Sequence, residues 1–265
     1  MSRLTGTFDR LRAQRRGGLV AYVTAGDPDP EASEQVLLAL GRGGADVIEV
    51  GVPFSDPLAD GPVIQRASER ALAGGMTLRR TLELIRRVRP SLEAPIVLFT
   101  YANPVDRMEA GTFTRDAADA GVDGVLMLDY PMEEAKSGPL RDRLVDAGLD
   151  PIFLISPTTT DERIRRSAEL GQGFLYVISR LGVTGARDTL AADVAALVGR
   201  VRAQTDLPIA VGFGISRPEH VAEACRSADA AVVGSALVQM IASHGAGNGL
   251  GGKVTEYVRW LKSAL

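Results

Sequence analysis

Glu49 stands near the end of an otherwise apolar run, Val47-Ile48-Glu49-Val50. Side chains on a strand alternate between faces, so Val47 and Glu49 share one face and Ile48 and Val50 the other. With apolar neighbours on both faces, the run reads as a strand buried on two sides, as in a parallel sheet. An ionised carboxylate left unpaired there is so costly that it takes up a proton instead. A proton held near neutral pH suits acid–base catalysis. A structural ion pair would explain a lone buried acid equally well. The continuation favours a site: Ser55, Asp56 and Asp60 follow in a loop that Pro53, Pro57 and Pro62 stiffen by restricting φ.

Two further groups of residues have types suited to chemistry. Gly212-Phe213-Gly214-Ile215-Ser216 and Gly234-Ser235 each follow an apolar run. Glycine lets backbone N–H groups approach an anion closely, and a helix N-terminus favours negative charge. Either turn alone would be an ordinary tight turn; together they predict a phosphate site. The segment 179–187 is long for a strand-to-helix connection, and Gly182 and Gly185 offer hinges, so a closing lid is expected over a plain surface loop. The lysines are Lys136, Lys253 and Lys262, none within an apolar run, so no amine is aimed at a substrate carbonyl for a Schiff base. His220 and His244 fall on helical stretches, Cys225 is the sole cysteine, and no metal-ligand cluster is visible. Carboxylate acid–base chemistry on a phosphorylated substrate is what remains.

The elements that must hold these residues repeat along the chain. Apolar runs at 19–24, 46–50, 95–101, 124–128, 151–155, 174–178, 208–211 and 230–233 read as strands. Helical patterns cover 5–15, 31–40, 62–73, 77–89, 112–120, 138–147, 161–170 and 190–203, and further helices follow Pro218, Ser235 and a glycine-rich spacer at 245–252. Asn103-Pro104 is read as a strand break. Eight β/α units predict a (β/α)8 TIM barrel, occupying 1–265 as a single domain, with an extra N-terminal helix and extra helices after strands two and eight. A doubly wound open sheet is the runner-up; it wants a phosphate fingerprint after the first strand, where Ala25-Gly26-Asp27 stands instead. In a barrel the C-terminal strand ends form the active face. That brings Glu49, Asp60, Tyr101, Asp129, Tyr176 and the turn after strand seven together.

Composition narrows the partners. At 45% hydrophobic and 24% charged the chain can bury a sizeable core, and a net charge of −3 gives no electrostatic case for nucleic acid or an anionic membrane. No apolar run approaches the roughly 20 residues of a membrane span. The start, Met1-Ser2-Arg3-Leu4, is not followed by a signal-peptide core, and one cysteine allows no disulfide framework. A cytoplasmic protein is expected.

Glu49 with Gly51-Val52-Pro53-Phe54-Ser55-Asp56-Pro57-Leu58-Ala59-Asp60-Gly61-Pro62 resembles the signature of the tryptophan synthase alpha subunits. Tyr176, Ser179-Arg180, Gly182-Val183-Thr184-Gly185 and Gly212-Phe213-Gly214-Ile215 match the same family, and the resemblance runs from the first helix to the last. It implies cleavage of indole-3-glycerol phosphate to indole and glyceraldehyde 3-phosphate, in tryptophan biosynthesis. It assigns Glu49 and Asp60 as catalytic carboxylates. Substrate-binding positions by resemblance are Tyr22, Phe99, Tyr101, Leu128, Tyr176, Thr184, Gly185, Gly212, Phe213, Gly214, Gly234 and Ser235, with Thr184 in the lid and the glycine turns at the phosphate. Leu128 and Tyr22 depart from the family pattern, where a smaller residue and a phenylalanine are usual, and both are expected in the indole pocket. Pro53, Asp56, Asn103, Pro104, Asp129 and Pro131 are expected to face a beta subunit in an alpha2-beta2 assembly. The cofactor, pyridoxal phosphate, belongs to that partner; none is expected in this chain, and no metal.

The implied chemistry agrees with the residues that are absent. Protonation at indole C3 makes the ring an electron sink, so a retro-aldol cleavage needs neither a lysine imine nor a metal. A desolvated Glu49 supplies that proton, and an ionised Asp60 accepts the indole N–H. Two alternatives stay open at this point: a stand-alone indole-3-glycerol-phosphate lyase, and a catalytically inert barrel that regulates a partner.

Overall fold

Eight parallel strands close on themselves, each paired with the next and β8 with β1. They are β1 (Gly18–Thr24), β2 (Val47–Gly51), β3 (Ile96–Thr100), β4 (Gly124–Met127), β5 (Asp150–Ile155), β6 (Leu175–Ile178), β7 (Ile209–Gly212) and β8 (Ala230–Val233). This computed structural model describes residues 2–130, 134, 138–178, 187–212 and 214–265. The chain is a TIM barrel, as the spacing of apolar runs predicts.

The strands are apolar on both faces because each face meets a different core. Val20, Val47, Val97, Leu126, Ile152, Ala210 and Val232 fill the barrel interior. Ile48, Val50, Leu98 and Val125 point outward beneath the helices. Helix α1 (Arg3–Ala13) closes the N-terminal end: its buried Leu4, Phe8 and Leu11 recur at helical spacing and join the interior cluster, with the Phe8 and Phe174 ring centroids 5.5 Å apart.

The outer layer comprises α2 (Pro30–Gly43), α3 (Pro62–Ala73), α4 (Leu78–Val88), α5 (Ala102–Met108), α6 (Ala110–Ala120), α7 (Pro139–Asp146), α8 (Asp161–Leu170), α9 (Arg187–Arg202), α10 (Pro218–Cys225), α11 (Ser235–His244) and α12 (Leu250–Lys262). Local chemistry sets their ends. Asp29 accepts the N–H groups of Glu31 and Ala32 with Pro30 in the first turn, and Gly44 ends α2 at φ 89°. The extra helices after β2 and β8 are α4 and α12.

One local expectation is extended and one is corrected. β3 ends at Thr100, ahead of Asn103-Pro104, and that pair goes on to form the first turn of α5, where a proline costs no intrahelical hydrogen bond. Asp129 Oδ1 accepts the Ala102 N–H at 2.6 Å and holds that helix start in place. The glycine-rich spacer ends earlier than its composition suggests, because Gly251 and Gly252 belong to α12. Packing outweighs their low propensity: Leu250, Val254, Val258 and Leu261 are buried on one face, and Val258 sits where a side chain at Gly43 of α2 would be. The lid expected over 179–187, with Thr184 and Gly185, lies outside the described residues apart from Arg187, where α9 begins.

Candidate active site

Glu49 is fully buried in β2, and neither carboxylate oxygen has a hydrogen-bond partner among the described residues. The strand register explains the placement. Val47 and Glu49 point into the barrel, and Glu49 pairs across to Tyr22 of β1 and Val97 of β3, so its carboxyl group rises above the apolar interior layer towards the C-terminal mouth. Burial pushes its pKa up to about 8. At neutral pH it is a carboxylic acid carrying a proton.

Asp60 reaches the same mouth from the loop between β2 and α3. That loop is cross-braced: Gln65 Nε2 donates to the Asp60 carbonyl at 2.9 Å, and the Asp60 N–H donates to the Pro57 carbonyl at 3.0 Å. Tyr101, directly after β3, donates its hydroxyl to Asp60 Oδ2 at 3.1 Å and accepts the Ala59 N–H at 3.2 Å. Its ring lies 5.0 Å from that of Phe54. Burial raises the Asp60 pKa to about 6, against the lowering effect of the Tyr101 hydrogen bond. Between about pH 6 and 8 the two carboxyl groups therefore hold opposite states, Glu49 protonated and Asp60 ionised.

An aromatic wall adjoins them. Tyr22 packs edge-on against Phe99 at 5.1 Å, and Phe99 lies 6.5 Å from Tyr176. Each tyrosine hydroxyl occupies space that the neighbouring strand leaves open. A methyl group on Gly51 would overlap the Tyr22 hydroxyl, and one on Gly212 would overlap that of Tyr176. Burial, followed by the charges of nearby carboxylates, raises both phenols well above their ordinary range. Leu128, half-buried beyond β4, lines an adjacent cavity of about 400 Å³ with Leu154, Phe153, Ser156 and Thr159.

The glycine turns sit across the mouth. Gly212 ends β7, and Gly214 has φ +64°, a conformation that favours glycine. Gly234 precedes α11, which Ser235 opens; no side chain among the described residues caps its first-turn N–H groups, which suits an anion. Gly234 also backs onto the Tyr22 ring, 3.6 Å from where its side chain would begin. His220 reaches this region too, accepting the Ser216 N–H at 3.4 Å.

Of the residues expected at an interface, Asp56 and Asn103 are exposed, Pro104 is half-buried and Pro53 is buried. Asp129 is exposed while its carboxylate caps α5. Phe213 and Pro131, like Thr184 and Gly185, lie outside the described residues. Sequence reasoning gives no role of their own to Gly51, Thr24 and Leu58. The first two face the mouth in the register of Tyr22 and Glu49, which strand alternation would have revealed. Leu58 is 95% exposed at the tip of the acidic loop; no periodicity marks a loop residue.

The fold and this mouth together define a (β/α)8-barrel protein with a desolvated acid, a second carboxylate, an aromatic wall and glycine turns at its C-terminal face. Comparison with known proteins is more specific. The family described as tryptophan synthase alpha chain matches residues 8–262, and the chain belongs to that family. It is 50% identical to the tryptophan synthase alpha chain of Solibacter usitatus, over 99% of this chain and 97% of that one. Identity to the alpha chain of Burkholderia thailandensis is 47%, over 100% and 97%. The crystal structure of tryptophan synthase subunit alpha from Legionella pneumophila superposes with a TM-score of 0.91 at 36% identity, covering 100% of this chain and 98% of that one. A structure of Mycobacterium tuberculosis tryptophan synthase gives 0.89 at 39% identity, over 99% and 98%. No helix among the described residues is long and apolar enough to cross a membrane.

Proposed function

We propose that this chain cleaves indole-3-glycerol phosphate to indole and glyceraldehyde 3-phosphate as the alpha subunit of a tryptophan synthase. The observation that carries the reading is Glu49, a fully buried carboxylic acid with no partner of its own. Glu49 delivers its proton to indole C3, which turns the ring into an iminium-type electron sink. The carboxylate so formed takes the proton of the adjacent glycerol hydroxyl. The carbon–carbon bond then breaks, its electron pair returns to the ring, and indole and the aldehyde separate with Glu49 protonated again. Asp60, ionised above about pH 6, accepts the indole N–H and offsets the positive charge that develops on it. Tyr22, Phe99, Leu128 and Tyr176 hold the indole, Tyr101 holds Asp60, and Gly212, Gly214, Gly234 and Ser235 hold the phosphate. Thr184, Gly185 and Phe213 complete the substrate site by family resemblance.

The partner in this reading is a tryptophan synthase beta subunit, which carries pyridoxal phosphate and consumes the indole in the cytoplasm. Exposed Asp56, Leu58 and Asn103 on one rim of the mouth suit such a docking face. The test supplies indole-3-glycerol phosphate to the chain with and without a beta subunit and measures indole. Slow release alone and faster release with the partner are expected. No release in the assembled complex would leave only a regulatory barrel; full turnover by the isolated chain would indicate a stand-alone lyase.

A further inference from the structure

Tyr22 is 5% exposed, and among the described residues its hydroxyl has one hydrogen-bonding contact, a long one of 3.4 Å to Thr24 Oγ1. A phenol hydroxyl can donate one hydrogen bond and accept two. Burying it so poorly satisfied costs free energy that a phenylalanine at the same place would avoid. Packing alone therefore does not account for the oxygen, since the ring makes the contact with Phe99. The neighbouring strand makes room for it: β2 carries Gly51, not a side chain, where the hydroxyl and the end of the ring rest. Tyr22 stands directly opposite Glu49 in the register of β1 and β2, so its side chain shares the barrel interior with that acid.

We propose that the Tyr22 hydroxyl is a specificity-determining group, a polar point in the aromatic wall that hydrogen-bonds a hydroxyl or similar polar substituent on the benzo ring of the substrate. The proposal rests on the reading of the mouth as the indole site. A site that hydrogen-bonds a substrate hydroxyl discriminates against a same-sized analogue lacking it, because the protein group is then left unpaired. Ring-hydroxylated indoles should thus be favoured over the matching methylindoles, which have nearly the same shape.

The test runs the reaction towards synthesis, with glyceraldehyde 3-phosphate, the chain and its beta subunit. The 4-, 5-, 6- and 7-hydroxyindoles are each compared with the methylindole of the same position, and indole is the reference. For at least one position the hydroxy-to-methyl ratio of kcat/KM should fall about tenfold in Tyr22→Phe, the effect expected of one hydrogen bond. Ratios within about twofold of the parent at every position in Tyr22→Phe, for a hydrogen bond of this size, would overturn the proposal while indole turnover kept the active-site reading intact. Absence of turnover with indole itself would overturn both.

Discussion

Asp46, Asp123 and Asp229 each stand one residue ahead of a strand at the N-terminal rim, before β2, β4 and β8. Each makes the same reciprocal link to the strand before it. The aspartate N–H donates to the carbonyl of Leu19, Ile96 or Ile209, at 2.8–2.9 Å, and the N–H of that residue donates back to the carboxylate at 2.8–2.9 Å. Basic side chains pair with the same carboxylates: Arg16 and Lys262 with Asp46, Arg3 and Arg89 with Asp123, and Arg202 with Asp229. Burial would raise the Asp46 pKa, but these hydrogen bonds outweigh it and hold the group below its ordinary value. At the opposite rim Glu49 is more deeply buried and has no partner, and its pKa moves the other way. Burial alone does not decide what a carboxylate does. Satisfied acids pin the strands at one end of the barrel; an unsatisfied one stores a proton at the other.

The largest expected effect breaks the contrast at the mouth. Glu49→Gln keeps the shape and removes the exchangeable proton, so kcat should fall by about 10²–10⁴ while substrate still binds. The kcat/KM profile of the parent should rise as Asp60 ionises through about pH 6 and fall as Glu49 loses its proton through about pH 8. The alkaline limb should be missing from the residual activity of the variant. Activity within a few-fold of the parent would remove Glu49 from the chemistry.

The next effect falls on the other rim and on a different quantity. Asp46→Ala strips the acceptor from Leu19, Arg16 and Lys262, and breaking a buried pair in this way costs about 3–5 kcal/mol. Thermal unfolding should shift down by roughly 6 °C or more, with kcat/KM at 25 °C close to the parental value. A large loss of activity at unchanged stability would contradict the division between the rims.

Tyr101→Phe tests the intermediate case, a carboxylate that is partly satisfied. The Tyr101 hydrogen bond lowers the Asp60 pKa, so its loss should raise the acid limb. The decrease in kcat/KM, about tenfold for one hydrogen bond, should be greater at pH 6.5 than at pH 7.5. An acid limb that stays in place would separate Asp60 from that ionisation.

Much of this architecture is legible in the chain. The eight apolar runs, their doubly buried composition and the glycine and proline stops mark the strands because these signals are local, set by side-chain period and backbone freedom. Glu49 stands out for the same reason, as the one acid in an apolar alternation. The Pro53–Pro62 loop is equally readable, since proline acts on its own φ. Local signals failed where a distant residue supplied the deciding contact. Asn103-Pro104 reads rightly as the end of a strand but not as the start of α5, which Asp129 holds in place, and Gly251 and Gly252 read as linker until α12 packs on α2.

By itself the sequence determined the order of elements, the closed parallel sheet they imply and the presence of a buried acid, because each follows from residue type and spacing along one segment. Only the tertiary structure decided which carboxylates are satisfied. That depends on Arg16 and Lys262 converging on Asp46, residues 30 and 216 positions away, and on none of the described residues hydrogen-bonding Glu49. It also decided that the Tyr22 hydroxyl rests against Gly51, a placement set by strand register and barrel closure. A pKa and a hydrogen bond are properties of an environment, and the environment exists only once the strands have closed.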